Sequence, residues 1–190
     1  MIKIGTLALQ GAFIEHRIAF EKLGVQCVEV RNSQELENLD GIVFPGGEST
    51  VQGRLLHKTG LFEPLQRAII AGLPVFATCA GLILLAQKLA DDSAKWLQTL
   101  PVVVRRNAYG RQLSSFQATI PLCGLGAYPS VFIRAPYISE VGEGVEVLAK
   151  YADKIVGVQY QNQLALAFHP EMTKDLRLHQ RFITLIHHQS

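Results

Sequence analysis

Residues 74–89 read Pro-Val-Phe-Ala-Thr-Cys-Ala-Gly-Leu-Ile-Leu-Leu-Ala-Gln-Lys-Leu. An apolar strand, Pro74 to Ala77, is followed at once by one reactive side chain, Cys79, and then by a helix over Ala80 to Leu89. Ala77, Ala80 and Gly81 are small, as a tight and strained strand-to-helix turn requires. This is a nucleophile-elbow layout, which exposes the reactive side chain at the top of a sheet. That edge is where open α/β sheets bind ligands. The start of the helix adds unpaired N–H groups and a positive dipole end, both favourable to an anion.

The chain on either side has the rhythm that such a turn needs. Ile2 to Leu9 is an apolar run that reads as a strand buried on both faces. Ala12 to Leu23 has helical spacing through Phe13, Ile14, Ile18, Ala19 and Leu23, and stops at Gly24. Val25 to Val30 is a second strand, Ser33 to Glu37 a short helix, and Gly41 to Phe44 a third strand. Helices follow over Thr50 to Leu56 and Leu61 to Ala71. This alternation predicts a three-layer α/β fold, with a mostly parallel central sheet flanked by helices. From Gln98 to Ala167 shorter strand-like pieces take over: Phe116 to Ile120, Ser130 to Ile133, Val145 to Tyr151, Ile155 to Tyr160 and Leu164 to Phe168. A last helix, Leu176 to Ile186, closes the chain. Neither a repeat nor a long linker divides residues 1–190, so one domain is expected.

Composition excludes several classes. Hydrophobic residues make up 48% of the chain, enough for a sizeable core, and no apolar run nears the roughly 20 residues of a membrane span. The N-terminus has no signal-peptide pattern, so a cytoplasmic location is expected. A net charge of +2, from 18 basic and 16 acidic residues, is too balanced to imply nucleic acid or an anionic membrane. The three cysteines, Cys27, Cys79 and Cys123, are widely spaced and odd in number. Neither a disulfide framework nor a zinc site is indicated. Cys27 in a strand and Cys123 in a loop read as small buried apolar residues, the usual role of cysteine.

A thiol nucleophile needs a base, and the base needs an orienter. His169-Pro170-Glu171, at the end of an apolar strand, supplies both types two residues apart. By itself the tripeptide could equally be a surface turn; beside the Cys79 elbow it becomes specific. His16, next to Glu15 on a helix, is expected to be solvated. His57, His179, His187 and His188 lack a strand-end setting. Pro45-Gly46-Gly47-Glu48-Ser49-Thr50 follows the third strand directly. Its glycines permit backbone N–H groups to face an oxyanion beside the nucleophile. A plain turn with Ser49 as N-cap is the alternative, and the two are compatible. No Gly-Lys-Ser/Thr follows, which disfavours a phosphate loop.

With Leu7-Ala8-Leu9-Gln10-Gly11, Glu15-His16 and Arg106-Asn107-Ala108-Tyr109-Gly110-Arg111-Gln112, these segments resemble the class I, or triad, glutamine amidotransferases. Within that class they resemble the glutaminase subunits of pyridoxal 5′-phosphate synthases. The resemblance implies a flavodoxin-like fold and a Cys79, His169, Glu171 triad that hydrolyses glutamine through a γ-glutamyl thioester. It implies an oxyanion hole at the backbone N–H groups of Gly47 and Ala80, and glutamine binding by Gly47, Glu48, Ser49, Arg106, Ile133 and Arg134. Neither a metal nor a cofactor is called for. Two departures stand out: Ala77 replaces the first glycine of Gly-x-Cys-x-Gly, with slight strain expected, and Tyr109 stands where the subfamily often has Phe.

The resemblance also implies a partner, a PdxS-type synthase subunit that receives ammonia within a large hetero-oligomer, with Gln10 at the contact. A glutaminase serving another synthase, a γ-glutamyl peptidase and a non-catalytic binding module remain as rival readings. Fold alone does not choose among them.

Overall fold

The computed structural model describes residues 2–106 and 115–187. Asn107 to Gln112, with Tyr109, and His188 lie outside them. The elements in chain order are β1 (Lys3–Leu7), α1 (Phe13–Glu21), β2 (Gln26–Val30), a 3₁₀ turn (Ser33–Leu36), β3 (Gly41–Phe44), α2 (Ser49–Lys58), α3 (Phe62–Ile70), β4 (Val75–Thr78) and α4 (Ala80–Leu85). Then come β5 (Ala86–Leu89), β6 (Leu100–Arg105), β7 (Ser115–Leu122), β8 (Gly126–Ile133), β9 (Tyr137–Val141), β10 (Glu146–Tyr151), β11 (Lys154–Tyr160), β12 (Gln163–Leu166), a 3₁₀ turn (Pro170–Met172) and α5 (Arg177–His187).

The strands β2-β1-β3-β4-β12 form the parallel centre of the sheet. Both faces of this centre are covered, so its strands read as unbroken apolar runs. On one side, Phe20 of α1, Phe76 of β4 and Phe182 of α5 pack ring to ring, with centroids 5.5–6.3 Å apart. Gly41 of β3 also meets α5, through Phe182 and Ile186. Phe44, an odd number of residues further along β3, points to the opposite face, where α4 lies on it. Beyond β12 the sheet continues antiparallel through β11, β10, β7 and β8, while β9, β6 and β5 branch from β11.

Gly81 makes the α4 contact possible. A Cβ there would lie 2.3 Å from the backbone oxygen of Phe44. Glycine to alanine inside an exposed helix ordinarily gains about 1 kcal/mol. Here the clash is with backbone, which cannot move aside. Gly81→Ala is expected to destabilise the fold by roughly 2–3 kcal/mol, read as a lower urea midpoint at unchanged slope.

Three expectations need correction. The helix expected over Ala80 to Leu89 ends at Leu85, and Ala86–Leu89 is a strand paired in parallel with β6. The backbone amide of Leu97 donates to the freed carbonyl of Leu84 at 3.0 Å, so long-range pairing replaces the last helical turn. On α1 the buried face is His16, Ala19 and Phe20, whereas Ile14 and Ile18 are 45% and 43% exposed. Ala77 lies in β4 without a positive φ; the strained residue is Cys79 itself, at φ 47° and ψ −100°.

Candidate active site

Strand register assembles the site. Leu166 of β12 pairs with Thr78 of β4, and Phe44 of β3 pairs with Ala77. The three parallel strands therefore deliver their next residues to one edge: Cys79 from β4, His169 from β12, and Pro45-Gly46-Gly47 from β3. Residues 90 positions apart in the chain become neighbours through ladder pairing alone. The backbone amide of Cys79 donates to the carbonyl of Leu166 at 2.8 Å, and that of His169 to Val131 at 2.8 Å, which pins both ends.

Cys79 bridges β4 and α4 in a backbone conformation that L residues avoid, at a cost of about 1–3 kcal/mol. Its Sγ lies 3.9 Å from the carbonyl oxygen of Ile133. His169 Nδ1 and Glu171 Oε1 are 2.7 Å apart, with the imidazole nearly buried and the carboxylate side chain wholly so. Burial opposes a charge on His169, but the neighbouring Cys79 and Glu171 outweigh it and push its pKa up to about 10. Burial likewise opposes the Glu171 carboxylate, yet His16 and His169 hold its pKa below the usual range. His169 Nε2 makes no well-aligned hydrogen bond, so the thiol and imidazole are adjacent rather than locked together. Nucleophile–base pairs are often loose before substrate arrives.

A cavity of about 520 Å³ opens over this edge, and Cys79 and His169 both line it. A larger cleft of about 650 Å³, along β7 and β8, is lined by neither. The smaller one is the candidate site. Gly46 fits against the imidazole: a Cβ there would lie 2.3 Å from His169 Cε1. A Cβ on Gly47 would meet Gln10 Oε1 at 2.4 Å. The backbone amide of Glu48 donates to Gln10 Oε1 at 2.9 Å, and Gln52 Nε2 donates to the Gln10 carbonyl at 2.8 Å. Gln10, expected at a partner contact, thus braces the glycine loop from inside the cavity wall.

Every expected glutamine-binding residue (Gly47, Glu48, Ser49, Arg106, Ile133 and Arg134) lines the cavity; Ala80 sits directly behind Cys79 as the first residue of α4. Ser49 is the first residue of α2 rather than its N-cap; Glu48 holds the cap position, without a side-chain bond. Arg134 Nη2 and Glu48 Oε1, both exposed, stand 3.3 Å apart at the mouth. Arg106 is tied by its Nη2 to Asp92 Oδ2 at 2.5 Å, with Asp91 beside it.

Of the other cysteines, Cys27 is half-buried, and burial together with Glu21 pushes its thiol up to about 11. Cys123, expected to be buried, is exposed. His16, expected to be solvated, is fully buried, with Nε2 3.3 Å from Glu171 Oε2. The signal for it was present: His16, Ala19, Phe20 and Leu23 recur at i, i+3, i+4 and i+7, a helical stripe as regular as the one through the exposed isoleucines.

Residues 6–188 match the model of the SNO glutamine amidotransferase family. The chain belongs to the SNO glutamine amidotransferase family. Among curated SNO-like relatives, the pyridoxal 5′-phosphate synthase subunit PdxT of Desulfitobacterium hafniense (strain Y51) is 56% identical, covering 97% of this chain and 94% of its own. The protein of the same name from Streptococcus pneumoniae (strain ATCC 700669 / Spain 23F-1) is 50% identical over the full length of both chains. A crystal structure of a glutamine amidotransferase superposes with a TM-score of 0.93 at 44% identity, covering 97% of this chain and 98% of the other. A putative GMP synthase subunit from Thermoplasma acidophilum, 19% identical, gives 0.72 over 100% and 96% of the two chains, a likeness of fold. The flavodoxin-like, class I architecture expected from the sequence is thus the one found. Among the described residues, no helix is long and apolar enough to cross a membrane.

Proposed function

We propose that residues 1–190 act as one domain that hydrolyses L-glutamine to L-glutamate and ammonia, and passes the ammonia to a PdxS-type synthase subunit making pyridoxal 5′-phosphate. The observation that carries this reading is the meeting of Cys79 and His169 in one cavity, with Glu171 2.7 Å behind the imidazole. The relatives named PdxT supply the pathway.

In the proposed cycle the Cys79 thiol gives its proton to His169, and the thiolate sulfur attacks the carboxamide carbon of glutamine. The oxygen of the tetrahedral adduct becomes an oxyanion, received by the backbone N–H groups of Gly47 and Ala80. Imidazolium His169 gives its proton to the departing nitrogen, the C–N bond breaks, and ammonia leaves a γ-glutamyl thioester. Neutral His169 then takes a proton from water, hydroxide adds to the thioester carbon, and the C–S bond breaks to release glutamate. Glu171 holds the imidazole throughout. At the cavity mouth, Arg134 and Glu48 offer one cation and one anion for the α-carboxylate and α-ammonium of the substrate. Their mutual pair is exposed and therefore cheap to exchange. Backbone or side-chain groups of Ser49, Ile133 and Arg106 complete the wall.

Gln10 gives the partner a lever. It lies in the first strand-to-helix turn and its side chain accepts from the Glu48 amide. A synthase subunit docking on that turn would set the position of Gly47, and with it the oxyanion hole. Free ammonia in water becomes ammonium and loses its nucleophilicity, so delivery within a hetero-oligomer follows. A reactive thiol without a disulfide role fits the reducing cytoplasm. Ammonia release from glutamine is expected to be low for the chain alone and at least about tenfold higher with the synthase subunit; one loosely placed oxyanion donor can hold back about 10²-fold. Equal turnover with and without it would sink the activation reading.

A further inference from the structure

Behind Glu171 lies a buried pair of imidazoles that the cycle above does not use. His16 of α1 and His179 of α5 are both fully buried. His16 Nε2 is 3.3 Å from Glu171 Oε2 and 3.1 Å from Thr78 Oγ1 of β4. His16 Nδ1 is 3.2 Å from His179 Nε2. Phe76 packs edge-on against both rings, with centroids 5.5 and 5.3 Å away, and Phe20 lies 4.9 Å from His179. The chain of contacts runs without a gap from His169 through Glu171 and His16 to His179, drawing on α1, α5 and the turn after β12.

Proton placement along this chain follows from the charge that each nitrogen faces. Glu171 Oε1 is engaged by His169, whereas Oε2 is buried without a hydrogen bond; His16 Nε2 stands 3.3 Å from it but is paired with Thr78 Oγ1. A bare His16 Nε2 would set a lone pair 3.3 Å from a carboxylate oxygen, so Nε2 carries the hydrogen, with Thr78 Oγ1 as its acceptor. His16 Nδ1 is then an acceptor, and His179 Nε2 must donate to it. That leaves His179 Nδ1 buried and without a partner, as is observed. Burial lowers the pKa of both rings, and for His16 this outweighs the pull of Glu171 and Glu15, which favours a single ring proton on each. A buried polar pair with an orphaned nitrogen is costly beside apolar side chains of similar size. Its directional value is what distinguishes it from packing.

We infer that His16 is a positioning residue: its Nε2–H edge, held by Thr78, sets a positive ring dipole against the second oxygen of Glu171, and His179 fixes the tautomer of His16. This rests on the proposed Cys79, His169 and Glu171 chemistry. Without His16, the buried oxygen that already lacks a hydrogen bond also loses the ring dipole 3.3 Å away, so the carboxylate becomes easier to protonate and is free to turn. The negative charge facing His169 is then weakened, leaving Cys79 as the other group that favours imidazolium. The substrate-contacting loop around Gly47 is untouched.

The test measures glutamine hydrolysis by the full chain with its synthase subunit, for wild type, His16→Leu, His16→Gln, His179→Phe, Glu171→Gln and Cys79→Ala. His16→Leu is expected to lower kcat about 10- to 100-fold, the usual cost of losing a supporting partner. KM should stay within about twofold, because Gly47, Glu48 and Arg134 are unchanged. The alkaline limb of the kcat profile should move to lower pH, a shift that lost packing alone would not produce. His16→Gln can place an amide N–H near the lost Nε2–H and should recover most of the rate and the wild-type profile. His179→Phe should lower kcat severalfold at constant KM, and it serves if His16→Leu does not fold. Wild-type kcat and pH profile in folded His16→Leu overturn the inference, as does a His16→Gln protein no better than His16→Leu. If Cys79→Ala or Glu171→Gln keeps full activity, the failure lies in the triad reading instead.

Discussion

Cys79→Ala is expected to lose glutamine hydrolysis by about 10⁴-fold or more while keeping its fold. Loss of the nucleophile in enzymes of this logic leaves only what binding and the oxyanion hole supply. Alanine retains the Cβ and changes little else in a residue whose side chain is nearly enclosed. Glutamine should still bind, since Glu48 and Arg134 at the cavity mouth are untouched. Cys79→Gly makes a sharper companion. The φ of 47° and ψ of −100° are unfavourable for any residue with a Cβ and acceptable to glycine. The glycine variant should be as inactive as the alanine variant but more stable, by about 1 kcal/mol once its greater unfolded-state freedom is offset. That pattern would mark strain held for function; a glycine variant less stable than the alanine one would argue against it. Thiol labelling is a second readout. Because Cys123 is exposed, a small general alkylator reacts there too. A glutamine-shaped chloroketone should select Cys79 by binding first, and excess glutamine should protect it.

The elements around the elbow could be read from the chain because they are local: Gly41 to Phe44 lies at its expected boundaries, and β4 and β12 fall within two residues of theirs. The meeting of the proposed triad residues was equally open to reading, since Cys79 and His169-Pro170-Glu171 each follow an apolar strand, and parallel register joins them. What escaped depends on distant pairing. Leu100–Arg105 and Tyr137–Val141 were not expected as strands; they pair with each other, and Leu100–Arg105 also pairs with Ala86–Leu89, a segment that reads as the end of a helix until its partner is known. His16 was missed for a different reason. Phe13, Ile14 and Ile18 make an apolar stripe on one side of α1, and hydrophobicity assigns that side to the core. The core takes the other side, where a polar ring finds Thr78, Glu171 and His179. Periodicity offers both stripes, and apolar content favours the one that lacks the polar ring.

Glu171→Gln should cost about 10³- to 10⁴-fold in kcat, nearly as much as losing the nucleophile, by a separate route. Glutamine has almost the same shape as Glu171 but no charge, and its amide can present N–H to His169 Nδ1, which selects the wrong tautomer. The pH dependence separates this from a packing defect. Burial alone would lower the His169 pKa; it stands at about 10 because Cys79 and Glu171 outweigh that effect. In the proposed cycle, imidazolium is the form that donates to departing ammonia. In the wild type the acid is therefore present through neutral pH and lost only as pH rises toward about 10. Removing the carboxylate charge must lower this limit, so the alkaline limb of kcat/KM should fall by at least about one unit in Glu171→Gln. Stability follows the same sign. A raised histidine contributes fully below its unfolded value of about 6.5 and loses that contribution as pH rises through about 10. The depressed Glu171 contributes above its unfolded value of about 4.3 and loses that contribution as pH falls. Urea midpoints of the wild type should thus decline at both ends of the pH range, and Glu171→Gln should flatten both declines. A variant with an unshifted alkaline limb would separate Glu171 from the charge of His169 and leave it only a spacer's role.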